Sequence, residues 1–142
     1  MADDLQISLV PIFAVEKEWD RVKNLLKVAT DMSGGRYKIN DLKRKLTTGE
    51  FQLWVIFDQK FEIVAAVTST CTEYPDGKFL SGQFLGGTRL DDWKDKFCDV
   101  FDNWGRDCKC KSVELTGRSG WSKVLAPNGY REMYRTYQKE LK

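Results

Sequence analysis

An α/β domain is what the sequence predicts, and three observations carry the prediction. The chain has 142 residues and a mass of 16.4 kDa, the size of one core. Hydrophobic residues make up 42% of it and aromatics 13%, enough apolar surface to offset the entropy of ordering the chain. Segments of alternating character give way repeatedly to segments with three- and four-residue apolar spacing. The 3 prolines stand singly at Pro11, Pro75 and Pro127, and no repeat, low-complexity tract or linker interrupts residues 1–142, which are read as one domain.

Each element has its own signal. Residues 7–13 alternate enough for a first strand, closed near Pro11. Trp19, Val22, Leu25, Leu26 and Ala29 then share one face of an amphipathic helix over 15–31, stopped by Ser33-Gly34-Gly35. Asn40 suits the N-cap of a second helix that turns Leu42 and Leu46 inward and ends at Thr47-Thr48-Gly49. From Phe51 the period becomes two: residues 51–57 and the β-branched run 63–71 form a hairpin around Asp58-Gln59-Lys60. Tyr74-Pro75-Asp76-Gly77 is a turn, and residues 78–85 return as a strand ending at Gly86-Gly87. Thr88, with Asp91 three residues on, is the expected N-cap of a long helix. Its buried face is Leu90, Trp93, Phe97, Val100, Phe101 and Trp104, Lys94 and Lys96 point outward, and Gly105 ends it. Residues 112–116 read as a short strand, 119–125 as a short helix broken before Pro127, and 130–138 as a closing strand.

Composition excludes several functions. With 0 His there is no Ser-His-Asp or Cys-His nucleophile, no His metal ligand and no His acid or base. The 23 basic and 21 acidic residues are interspersed, so no basic patch suggests a nucleic-acid partner. Met1-Ala2-Asp3-Asp4 lacks the basic and apolar regions of a secretory leader, and the longest apolar run, 63–67, is too short for a bilayer. The expectation is a cytoplasmic protein without a membrane partner, whose Cys71, Cys98, Cys108 and Cys110 are reduced thiols. A zinc site would want two close Cys pairs; only Cys108 and Cys110 are close, with one residue between them, so no metal is expected. These two thiols flank Lys109, a cation of the kind that lowers a thiol pKa.

The order of these elements resembles that of the acetyl-CoA-dependent N-acetyltransferase superfamily known as GNAT, over essentially the whole chain. Phe51-Gln52-Leu53-Trp54-Val55-Ile56-Phe57 followed by Ile63-Val64-Ala65-Ala66-Val67 looks like its central hairpin. Val113-Glu114-Leu115 and Lys123-Val124-Leu125-Ala126-Pro127-Asn128-Gly129-Tyr130 look like its fifth strand and the short helix before a Gly-aromatic pair. Leu115-Thr116-Gly117-Arg118-Ser119-Gly120-Trp121 resembles a Gly-Arg-x-Gly-Trp signature of small GNAT-like proteins of tailed bacteriophages. The resemblance implies a mixed, largely antiparallel sheet flanked by helices on both sides.

It also implies a ligand and its site. In the superfamily a glycine loop after the fourth strand holds the pyrophosphate of acetyl-CoA on the amides of a helix N-terminus. Here that place reads Gln83-Phe84-Leu85-Gly86-Gly87-Thr88-Arg89-Leu90-Asp91-Asp92, with residues 85–89 (Leu85, Gly86, Gly87, Thr88 and Arg89) the candidates for the contact and Asp91 and Asp92 as carboxylates that oppose an anion. Counting back from Gly129-Tyr130 puts Leu125 where the superfamily carries a tyrosine that protonates the leaving thiolate. For a general base the candidates are Glu114, Glu73 or a water chain, with Arg118 as the expected partner of Glu114. Arg118 and Trp121 are candidates for contact with a substrate or partner. Two functions follow. One is an N-acyltransferase acting on a small-molecule or protein amine; the other is a non-catalytic binding module of phage type, in the virion or in the host cytoplasm, whose partner is a phage structural or host protein.

Overall fold

The computed structural model describes residues 4–118 and 120–142. Its elements in order are β1 (Gln6–Val10), α1 (Ile12–Asp31), α2 (Ile39–Thr47), β2 (Gln52–Phe57), β3 (Ile63–Tyr74), β4 (Gly77–Gly87), α3 (Leu90–Asp107), β5 (Ser112–Leu115) and α4 (Trp121–Leu125), with a 3-10 turn at Ala126–Asn128. The five strands form one sheet in the order of the chain. Neighbours from β1 to β4 run antiparallel, and β5 joins β4 in parallel after the α3 crossover. This is the mixed, largely antiparallel α/β architecture expected.

Two apolar layers sandwich the sheet. Val15, Trp19, Val22 and Leu26 of α1 and Leu42 and Leu46 of α2 pack on Leu53, Val55, Ala66 and Phe84. Trp93, Phe97 and Phe101 of α3 pack on Trp54, Ile56, Ala65, Val67 and Leu80. Alternation along β2 assigns odd residues to the first layer and even ones to the second, as the pleat requires. A polar chain inside is satisfied: Trp54 Nε1 donates to Ser69 Oγ at 2.9 Å, and Ser69 Oγ donates to Gln52 Oε1 at 2.9 Å. The face expected for α3 is the face it buries, but Lys94 is not outward in the manner of Lys96. The Lys94 side chain is 15% exposed because its ammonium is used by the chain beyond β5.

Several boundaries differ from expectation for local reasons. Lys38, not Asn40, caps α2, and its N–H is taken by Asp41 Oδ2 at 2.9 Å. Arg89, not Thr88, is the N-cap of α3, because Thr88 remains bound to the sheet through its N–H to the Val64 carbonyl at 2.9 Å. Gly105 lies inside α3 and is buried; a Cβ there would stand 3.2 Å from Val113 Cγ2, so the residue serves the approach of α3 to β5 rather than helix termination.

The closing strand over 130–138 is not formed: described residues 130–142 adopt neither helix nor strand and 131–142 are exposed. Tyr130 and Tyr134 fall on one parity and Met133 and Tyr137 on the other, so a strand there has no single apolar face to bury. Met133, Tyr134, Tyr137 and Leu141 all stay exposed.

Candidate functional site

β4 and β5 begin together and then part. Their register runs from Phe79 opposite Ser112 to Gly82 opposite Leu115, and a last bond joins the Thr116 N–H to the Gly82 carbonyl at 3.2 Å. Beyond Gly82, β4 continues for five residues paired with β3 alone, so its other edge is left without a strand. The result is a V with residues 83–87 as one wall and the segment after β5 as the other.

A β-bulge sits at the point of divergence. Ser69 pairs with Gly82 and Thr68 with Phe84, so Gln83 is an extra residue on β4. The bulge shifts the alternation by one and sends Phe84 into the α1 layer and Leu85 toward the α3 layer. Gln83 Oε1 and Thr68 Oγ1, both buried at this place, have no hydrogen-bond partner. Buried polar atoms are normally paired, so two unpaired oxygens beside an open strand edge mark a place suited to a ligand's donors.

The turn from β4 to α3 is shaped by packing. A Cβ on Gly86 would strike the Leu25 carbonyl of α1, and one on Gly87, at φ 138°, would strike the Val64 carbonyl and Ala65. The two glycines let α1 and β3 press directly on β4. The turn is then held by Trp93 Nε1, which donates to the Thr88 carbonyl at 2.8 Å. Arg89 is left-handed at φ 59°, and its Nε donates to Asp92 Oδ2 at 2.9 Å. Asp91 and Asp92 are both exposed in the first turn of α3.

Glu114 stands one residue before the V opens. Its expected partner Arg118 does not reach it: Ser81 Oγ donates to Glu114 Oε1 at 2.6 Å, across a β4–β5 pair in register. Ser81 is buried and Glu114 half-buried. Arg118, exposed, places Nη2 3.2 Å from Met32 Sδ at the end of α1. Trp121 lies over Gly117, where a Cβ would come 2.6 Å from the indole Cδ1. Ser119 of the same motif lies outside the described residues. The structure thus brings Glu114 and the 85–89 turn to β4, while Arg118 and Trp121 border the opposite wall.

Beyond that wall the chain is clamped to α3. Lys94 Nζ donates to the Val124 carbonyl at 2.9 Å and to Asn128 Oδ1 at 2.7 Å, and Asn128 Nδ2 donates to Asp95 Oδ1 at 3.1 Å. The Asn128 amide, and after it the Lys94 ammonium, hold the Asp95 carboxyl below its usual range. Leu125 is buried, an apolar side chain with no proton to give. The Tyr130 hydroxyl is buried without a partner, and that burial, followed by the nearby Cys98 and Asp102, raises its pKa. Sequence reasoning missed Ser81, the bulge and unpaired oxygen at Gln83 and the Lys94–Asn128 clamp. The small polar residues in Leu80-Ser81-Gly82-Gln83, inside an otherwise apolar strand, were the available signal.

Known structures share this fold. A GNAT family acetyltransferase from Staphylococcus aureus superposes with a TM-score of 0.65 over 97% of this chain and 99% of its own, at 16% identity. Glucosamine-6-phosphate N-acetyltransferase from Arabidopsis thaliana gives 0.68 over 97% and 99%, at 14% identity. A predicted acetyltransferase from Clostridium acetobutylicum, solved with acetyl-CoA, gives 0.70 over 96% of each chain, at 11% identity. The fold is that of the GNAT acetyltransferases. No protein-family model and no curated protein sequence matches the chain. Within the GNAT fold the V lies between the fourth and fifth strands, and among the described residues no His, Cys, Asp and Glu group could hold a metal ion.

Proposed function

We propose that this chain is an acyl-CoA-dependent N-acyltransferase that passes an acyl group to a primary amine. The observation that supports this reading best is the V itself: a bulge at Gln83 and a strand edge on 83–87 that β5 leaves unpaired. An extended ligand with amide groups can pair with that edge as a strand would, which fits the acyl-CoA arm, and Gln83 Oε1 is an acceptor waiting beside it. Residues 85–89 would hold the phosphate end, through the N-terminal amides of α3 and Arg89. Asp91 and Asp92 act against it, and each such exposed dipole or charge contribution is only about 0.3–1 kcal/mol, so the strand pairing dominates.

Bound there, acyl-CoA supplies an acyl group already activated as a thioester. The chain's own contribution begins with Glu114. Its Oε2 carries no bond from Ser81, which donates to Oε1, so this carboxylate is placed to take a proton from a substrate ammonium at the mouth of the V. Ser81 fixes its orientation. Arg118 and Trp121, on the far wall, are the contacts proposed for the amine. Leu125 offers no proton to a departing thiolate, so that proton comes from solvent.

A second reading keeps the fold as a binding module, with Arg118 and Trp121 facing a viral or host protein. Leu125 and the pairing of Arg89 with Asp92 favour it. Calorimetric titration with acetyl-CoA decides between them. The transferase reading expects saturable one-to-one binding and, at 100 times the dissociation constant, a stabilisation of about 2.7 kcal/mol. Glu114→Gln should then keep the affinity and lower turnover. A flat titration overturns the transferase reading.

A further inference from the structure

Three of the four thiols converge at the end of the sheet opposite the V. Cys71 on β3 and Cys110, just before β5, bring their sulfurs to 3.8 Å, and Cys108 is close enough to add to the rise in the Cys71 pKa. The turn that carries Cys108 and Cys110 is tightly specified. Their N–H groups donate to the Trp104 and Gly105 carbonyls at 2.9 and 2.8 Å, Lys109 between them adopts φ 61°, and Lys78 Nζ donates to the Cys108 carbonyl at 3.0 Å. On its other side Cys110 lines a cavity of about 320 Å³ with Arg106, Lys111 and Tyr130, which small solutes can enter. Cys98 is apart from this group, buried on α3.

We propose that Cys71 and Cys110 are an oxidisable pair that closes into a disulfide when a hydroperoxide enters this cavity. A disulfide needs its sulfurs at about 2.05 Å, so the pair must approach by about 1.8 Å. Cys110, facing the cavity, reacts first: its sulfur attacks one peroxide oxygen, the O–O bond breaks, water leaves, and Cys110 becomes a sulfenic acid. The Cys71 sulfur then attacks the sulfenic sulfur, the S–O bond breaks, and the hydroxyl departs as water with the Cys71 proton. Two thiols and one hydrogen peroxide give one disulfide and two waters; sulfur is oxidised and the peroxide reduced. The order of events follows from position, because Cys110 lines the cavity and Cys71 does not, and burial, which pushes the Cys71 thiol up to about 12, makes Cys71 the harder sulfur to ionise. The new bond ties β3 to the α3–β5 turn across β4. None of this depends on the transferase reading.

The test treats the reduced full chain with hydrogen peroxide, alkylates it in denaturant, and counts labelled cysteines by mass spectrometry. Two labels should be lost, a protease digest should contain a peptide linking Cys71 to Cys110, and a thiol reductant should restore all four labels. The oxidised protein should melt above the reduced one, since the link constrains the unfolded chain. Cys98→Ser should form the same link, and Cys71→Ser should form none. Four labels after oxidation, a link between any other two cysteines, or links only between chains would overturn the proposal.

Discussion

The part of the sheet from β1 to β4 and the part from β4 to β5 are built on opposite plans. In the first, three antiparallel pairings run unbroken except at bulges and both faces are covered, by α1 and α2 on one side and α3 on the other. In the second, a four-residue strand pairs in parallel and stops, and residues 131–142 beyond it lie exposed. A closed sheet consumes its hydrogen-bonding edges; an interrupted one leaves them to a ligand. The packing of this molecule is therefore concentrated in one part, and the open strand edge on which the proposed function rests lies in the other.

Equal truncations in the two parts should have unequal cost. Leu26→Ala, at a fully buried position between α1 and the sheet, should lose about 2–5 kcal/mol, whereas Leu115→Ala at the half-buried mouth should lose about 1 kcal/mol. Denaturant unfolding followed by tryptophan fluorescence measures both, and equal losses would break the comparison. Gly86→Ala should cost about 1–3 kcal/mol by forcing α1 off β4, although the change adds a single methyl group.

Alkaline pH should act more gently, on the buried thiols and, from pH 10 upward, on the buried Tyr130 hydroxyl as well. Burial raises Cys71 from 9.0 to about 12 and Cys98 from 9.0 to about 11. The folded state keeps these protons where the unfolded chain loses them, so stability is full below pH 9 and falls as pH rises toward 11 and 12. Thermal midpoints across pH 8 to 11, flattened in Cys71→Ser with Cys98→Ser, check the sign. The smallest effect belongs to removal of residues 131–142, which should shift stability by no more than about 0.5 kcal/mol, because the segment buries nothing large. A large loss on its removal would mean that the open part contributes more than its contacts show.

How much of this was legible in the sequence follows the same division. The α3 face was readable because Trp93, Phe97 and Phe101 repeat at helical spacing, and periodicity is a local property. The β2–β3 hairpin was readable for the same reason. The bulge at Gln83 was not, since an extra residue is defined only by the register against Thr68 and Ser69, which lie fourteen or more positions earlier in the chain. The Ser81–Glu114 bond spans 33 residues, and nothing near Glu114 points to Ser81 rather than to nearby Arg118. The strand expected over 130–138 failed through a local signal read too generously: aromatic residues are frequent there, but they do not keep to one parity. Gly86 and Gly87 stood out as a turn that could cradle an anion, while the crossing of α1 that demands Gly86 and the approach of β3 that demands Gly87 are tertiary facts.

The clamp at Lys94 has a mechanical meaning. α3 starts at the end of one arm of the V, and from its second turn a single ammonium grips the Val124 carbonyl and Asn128, in the chain beyond the other arm. The two arms are therefore joined beyond their ends through one ammonium, which couples their separation to that grip. A guest that spreads the arms must stretch the bonds at Lys94, and one that draws them together relaxes them. Replacing this lysine would leave the resting gauge of the V nearly intact while making it a looser spring.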